Sequence, residues 1–227
     1  TWQEYGAILF ESGVEAFLKK AMTIVREETV NLAPDDACLP VEFPRKPLEN
    51  KVVWIDPLGH VITQYCKNHP VSRENIRIGD GKVRLVETSF GNVGIVLCLD
   101  ADFPGFVRQA GLPGAGLLLD PDQDSRRIDP LHTHMAAFRA ISNGLAVVKP
   151  TGDGLSAVFD SFGRVLGRMD FWGSERKIML ADVPVSRVRT PYVCIGDLFA
   201  WLCMGGLAVL VGFGITRSQT KAVHSPL

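Results

Sequence analysis

The run from Ser89 to Asp102 reads S-F-G-N-V-G-I-V-L-C-L-D-A-D. Its apolar part, Val93 to Leu97, has the composition of a buried strand and delivers Cys98 to that strand's C-terminal end. Phe103-Pro104-Gly105 then turns the chain into a short helix. A thiol at a strand-to-helix turn sits where a sheet opens to solvent, among backbone N–H groups able to hold an anion. An isolated Cys at the end of an apolar run is more often a small core residue. The nucleophile reading of Cys98 therefore rests on residues elsewhere in the chain.

Working outward, Val83 to Thr88 and Val93 to Cys98 flank a turn at Phe90-Gly91-Asn92, and Phe103 to Ala110 reads as the helix that follows. Upstream, Val52 to Ile55 and Val61 to Tyr65 flank Asp56-Pro57-Leu58-Gly59 and predict a hairpin, with Lys67 two residues past its second strand. Ser12-Gly13-Val14-Glu15 has the form of a capping box, and the apolar spacing after it predicts a helix to about Val30. A short strand is expected at Val41 to Phe43. Downstream, Gly116 to Leu119 reads as a buried strand. Pro130 to Asn143 is a helix stopped by Gly144. Ala146 to Lys149, Ser156 to Phe159, Val165 to Met169 and Ile178 to Val183 read as strands. Strands alternating with helices and hairpins, without an internal repeat, predict a layered α/β domain.

The chain has 227 residues, 46% of them hydrophobic, enough for one large core. A formal net charge of −1 and the absence of a basic stripe argue against a nucleic-acid partner. Five cysteines at scattered spacings, with no C-x-x-C pair, suggest neither a zinc site nor a disulfide framework. No signal peptide is recognisable, and Thr1 opens directly onto Trp2-Gln3-Glu4, as though the chain were cut inside a domain. Leu198 to Thr216 carries no charge and is long enough to cross a bilayer core. Arg217 and Lys221 after it favour a cytoplasmic C-terminus, and hence an extracytoplasmic position for the domain before it.

Three polar residues stand next to the ends of apolar elements: Glu4, Lys67 and Cys98. Together they suit acyl transfer through a thioester. A thiol needs a base to become a nucleophile, and a carboxylate in a dry pocket can take its proton and return it to a leaving group. An ammonium nearby, with the backbone N–H of Leu99, can hold the developing oxyanion. Taken singly, Glu4 and Lys67 read as solvated charges. Two other clusters carry less. His132-x-His134 with Asp129 sends its rings to different sides of a helix and finds no third ligand, so no metal is expected. Asp120, Asp122 and Asp124 lack the downstream Glu of a calcium loop.

In this combination the chain resembles the nitrilase, or carbon–nitrogen hydrolase, superfamily, whose members use a Glu-Lys-Cys triad in that order. Trp2-Gln3-Glu4 resembles the segment carrying the general base, and Tyr65-Cys66-Lys67-Asn68-His69 the segment around the lysine. Glu74 stands at about the place of the second glutamate, which in the family orients the triad and holds the lysine. Leu97-Cys98-Leu99-Asp100 is similar to the nucleophile motif, with Leu99 where an aromatic is usual and Asp100 at the acidic position. Phe138 to Gly144, Gly154-Leu155-Ser156 and Asp160 to Arg164 resemble later family motifs, with Ser142 in place of a common Glu. Within the superfamily the pattern is most similar to the apolipoprotein N-acyltransferases. Thr190-Pro191-Tyr192 and Gly196-Asp197 resemble their approach to a last membrane span.

The resemblance implies an α/β fold, a nitrilase-like α-β-β-α sandwich followed by one transmembrane helix. Residues 1–190 would form the hydrolase domain, truncated at its N-terminus, with the membrane helix at 191–217 and a short tail at 218–227. It implies catalytic Glu4, Lys67 and Cys98, supported by Glu74, Leu99 and Asp100, with no cofactor and no metal. The acidic run at Asp120 to Asp124 would be a substrate-lining loop. The expected partners are a phospholipid acyl donor, a lipoprotein acceptor and the cell membrane. An amidase hydrolysing a non-peptide C–N bond is the alternative, and an inactive membrane-anchored module the third reading.

Overall fold

The computed structural model describes residues 48–56, 58–71, 74–175 and 177–223, the last nine as backbone only. The expected helix from Ser12, the strand at Val41 to Phe43 and the candidate base Glu4 lie outside the described residues. Strands β1 (Lys51–Ile55) and β2 (Val61–Cys66) form the expected antiparallel hairpin. Then come β3 (Arg84–Thr88), β4 (Gly91–Ile95), a 3-10 turn at Cys98–Asp102 and helix α1 (Pro104–Gly111). Strands β5 (Leu117–Leu119) and β6 (Asp122–Gln123) lead to helix α2 (Leu131–Asn143). The series β7 (Ala146–Lys149), β8 (Thr151–Gly152), β9 (Leu155–Phe159) and β10 (Val165–Asp170) follows. Two further helices, α3 (Pro191–Ile195) and α4 (Leu198–Val223), close the described chain.

The main sheet has six strands in the order β10-β9-β7-β5-β4-β3. Its centre, β4-β5-β7, is parallel, and its flanks are antiparallel. Alternation along β5 and β7 builds the two faces. Leu118 and Val147 join Val107, Ala110, Ala136 and Ala140 of α1 and α2 on one side. Leu117, Leu119 and Ala146 pack on the other side against Trp54, Val183 and Val185. Gly94 lets α1 come close, because a Cβ there would stand 2.9 Å from the Ala110 Cβ. Among the described residues, the hairpin β1-β2 is a separate two-stranded sheet, with Tyr65 and Val52 in the first cluster and Trp54 packed against both.

Most local signals produce their elements, with shifted limits. Gly144 ends α2 in the left-handed region, at φ 61°, and donates its N–H to the Ala140 carbonyl. β4 ends at Ile95, earlier than its apolar run suggests, and the chain enters the 3-10 turn at Cys98. Ile178 to Val183, expected as a strand, is not one. Ile178 and Leu180 are exposed, while the alternate residues Met179 and Ala181 lie over Gly167 of β10 and Val183 and Val185 pack on the sheet. Its alternation reflects a chain laid along a surface without ladder partners. Over the described residues no helix is long and apolar enough to cross a membrane, and α4 side chains are described only to Gly214.

Candidate active site

The three parallel strands point their C-terminal ends to one edge, the usual place for ligands in open α/β sheets. Cys98 follows β4, Asp120 follows β5, and Lys149 closes β7. Cys98 itself adopts φ 54°. For a non-glycine residue this left-handed conformation costs about 1–2 kcal/mol, and it turns the thiol out of the strand direction at the start of the 3-10 turn. Arg139 of α2 holds the far end of that turn, donating Nε to the Ala101 carbonyl and Nη2, at 3.0 Å, to the Asp102 carbonyl.

Lys67 follows directly on β2, and its side chain is 1% exposed. Its ammonium donates to both Glu74 carboxylate oxygens, at 3.1 and 2.8 Å. Glu74 also accepts from the Val71 N–H at 3.0 Å. Burial opposes the charge on Lys67, but the Glu74 hydrogen bond and the nearby Cys98 sulfur raise its pKa above the usual lysine value. The ammonium is thus held by Glu74 as a charged neighbour of the sulfur.

Asp100, two residues past Cys98 and fully buried, ties the two segments together. Oδ1 accepts from the His69 N–H and from His69 Nδ1, both at 2.7 Å. Both carboxylate oxygens lie 3.1 Å from the Asn68 N–H, and Oδ2 accepts from the Tyr65 hydroxyl. The lysine segment Tyr65 to His69 is therefore clamped to the 3-10 turn at Cys98 by one carboxylate. His69 completes the clamp by stacking on Phe103, with ring centroids 3.9 Å apart. Leu99, half-buried, contributes its backbone N–H toward the Cys98 sulfur.

The acidic run, expected to be a substrate-lining loop, is buried. Asp120, Asp122 and Asp124 are 1%, 3% and 9% exposed and turn inward. The physical reason is their register beside β7, which sets Lys149 against them. Lys149 donates to Asp122 and lies 3.7 Å from Asp120. His132 of α2 fills the other side, its Nδ1 2.6 Å from Asp124 and 3.0 Å from Asp122, and its Nε2 3.2 Å from Asp102. Asp102, Asp122 and Asp124 push the imidazole pKa up to about 11, against the effect of burial, so it is a cation at neutral pH. Asp122, Asp124 and His132 bring ligand-type atoms within 4.8 Å of one another. The cations among these carboxylates are the protein's own, so the group reads as an ion-pair network. The sequence signal for it was Lys149, a charge ending the apolar strand Ala146–Lys149. His134 and Asp129 take no part in these ion pairs.

With this geometry in place, comparison with known proteins gives a consistent answer. The carbon–nitrogen hydrolase family profile matches residues 29–191. The chain belongs to the carbon–nitrogen hydrolase family. An apolipoprotein N-acyltransferase of Geobacter metallireducens is 28% identical over 155 residues, covering 65% of this chain and 29% of that protein. The corresponding Vibrio cholerae protein is 32% identical over 129 residues, covering 54% and 24%. A hydrolase of Schizosaccharomyces pombe is 27% identical, covering 63% and 50%. The chain thus spans about half or less of the length of these curated relatives. Among solved structures, a carbon–nitrogen hydrolase from Helicobacter pylori has a TM-score of 0.54 at 23% identity, covering 60% of this chain and 56% of that one. An amidase from Nesterenkonia sp. AN1 has a TM-score of 0.52 at 23% identity, covering 60% and 57%. The carbon–nitrogen hydrolase α/β fold is common to these structures and this chain.

Proposed function

We propose that this carbon–nitrogen hydrolase family member transfers an acyl group through a thioester on Cys98, from a phospholipid to the N-terminal amine of a lipoprotein. The observation that carries the reading is a buried ammonium, Lys67, held by Glu74 beside Cys98 and clamped to the same turn through Asp100. In this scheme Glu4 takes the S–H proton as sulfur attacks the ester carbonyl. Lys67 and the Leu99 N–H hold the oxyanion. The C–O bond breaks, and the alkoxide leaves with the proton from Glu4. The acceptor amine then attacks the thioester and gives a proton to Glu4; the C–S bond breaks to release the amide, and the departing thiolate takes that proton back from Glu4, regenerating the thiol and the carboxylate.

The acyltransferase branch is favoured over hydrolysis by the similarity to apolipoprotein N-acyltransferases and by α4. That helix has 26 residues, ~39 Å at 1.5 Å per residue, and Leu198 to Thr216 within it carries no charge. Its described side chains, Leu198 to Phe213, are exposed. We read residues 191–217 as a membrane anchor, 1–190 as the hydrolase domain on the extracytoplasmic face, and 218–227 as a tail. Lipid-embedded donor and acceptor then reach a site tethered at the bilayer. The amidase reading retains support from the fold shared with the Nesterenkonia amidase.

The two are separated by supplying the chain, in phospholipid vesicles, with a diacylglyceryl-cysteine peptide and in parallel with a short aliphatic amide. N-acylated peptide is the expected product. Release of ammonia from the amide, with no peptide acylation, would assign the chain to hydrolysis.

A further inference from the structure

One carboxylate beside Cys98 has no part in the scheme above. The parallel register pairs Val93 with Leu117 and Ile95 with Leu119. It continues past the strand ends through hydrogen bonds from Val96 N to Leu119 O at 3.0 Å and from Cys98 N to Pro121 O at 3.1 Å. The same step along both chains sets Asp122 beside Cys98. Four further contacts fix Asp122, the first being the Gln123 N–H, which donates to Oδ1 at 2.7 Å. The Asp122 N–H donates to the Pro150 carbonyl at 2.9 Å, Lys149 donates to Oδ2, and His132 Nδ1 lies 3.0 Å from the same oxygen. Burial opposes its charge, but His132 from α2 and Lys149 from β7 hold its carboxyl well below the usual carboxylate range, with Asp120 also beside Lys149. Asp102 and Asp124 complete the shell around His132. Lys67, held by Glu74 at 2.8 Å, also lies close enough to act on the charge of the sulfur.

We propose that Asp122 is a positioning residue for Cys98, accepting the thiol S–H and keeping the resting sulfur protonated until an acyl donor is bound. This deepens, and rests on, the reading of Cys98 as nucleophile. Burial and the Asp122 carboxylate push the Cys98 thiol up to about 12, while Lys67 and the Leu99 N–H pull it down. A resting thiol reacts slowly with alkylating agents and oxidants, which attack the thiolate. The site therefore keeps its nucleophile silent between turnovers, and the proton leaves only when the base of the thioester scheme receives it.

The test is the pH profile of iodoacetamide alkylation at Cys98, read by peptide mass spectrometry on the folded full chain. Asp122→Asn should raise the rate at neutral pH about tenfold or more, since each unit of lowered thiol pKa multiplies the thiolate fraction by about ten. Asp122→Glu should restore the slow profile. A folded Asp122→Asn protein with the wild-type profile would overturn the proposal. Should Asp122→Asn fail to fold, the infrared S–H stretch of the wild-type chain decides. The band lost in Cys98→Ala should lie below the free-thiol position, as carboxylate bonding requires, and a band at the free-thiol position would overturn it. Neither readout involves acyl transfer. An Asp122 effect without acylation of Cys98 would remove the thioester reading alone, and acylation with an unchanged profile would remove this inference alone.

Discussion

Asp100 is the residue that makes two distant segments into one site. Five donor contacts from Tyr65, Asn68 and His69 converge on its buried carboxylate. Asp100→Ala would strand these donors, and urea unfolding should register a loss of about 3 kcal/mol or more. His132 gives a prediction with a pH signature. Its pKa is raised from 6.5 to about 11 in the folded state, so its stabilisation is complete below about pH 6.5 and is lost as pH rises through about 11. His132→Gln should therefore destabilise by about 3–5 kcal/mol at low pH, with the gap to wild type closing in alkali. A gap that stays constant across that window would show His132 to be neutral. At this scale the sequence was half legible. Cys98 and Lys67 could be picked out because each ends an apolar element. The inward turn of Asp120, Asp122 and Asp124 could not, because it depends on Lys149 and His132, brought in from another strand and a helix.

Elements were legible where the signal is local. The hairpin turns at Asp56 and at Asp160 to Gly163 and the stop at Gly144 each specify their element without a distant partner. Ile178 to Val183 has a strand's alternation but no neighbour to pair with, and period alone does not supply one. Gly144 shows how tight one junction is. A Cβ there would meet the Val188 carbonyl oxygen at 1.8 Å, on a backbone already at φ 61°. Gly144→Ala should cost at least about 2 kcal/mol in thermal or urea unfolding; a neutral result would mean that the segment at Val188 is free to move away. Arg108 of α1 reaches three carbonyls of α3, Tyr192, Val193 and Cys194, at 3.0–3.2 Å. Helix α3 immediately precedes α4, so Arg108 couples the helix after the Cys98 turn to the proposed anchor. Arg108→Ala should increase proteolysis between residues 186 and 197 and leave the sheet protected from hydrogen exchange.

Over the described residues, a six-stranded sheet brings Cys98, Asp120 and Lys149 to one edge, and the apolar helix α4 follows it. If α4 anchors the chain, full-length protein should float with phospholipid vesicles through an alkaline wash, and a chain ending at Asp197 should stay in the aqueous fraction. Co-flotation of the shortened chain would place membrane contact elsewhere. The central claim is that Cys98 carries the acyl group. The direct measurement is peptide mass spectrometry of the full chain after incubation with phospholipid vesicles, without an acceptor. An acyl chain on Cys98, released by hydroxylamine and absent in Cys98→Ser, is the predicted result. Acylation of another cysteine, or none in a folded, membrane-bound chain, would contradict it.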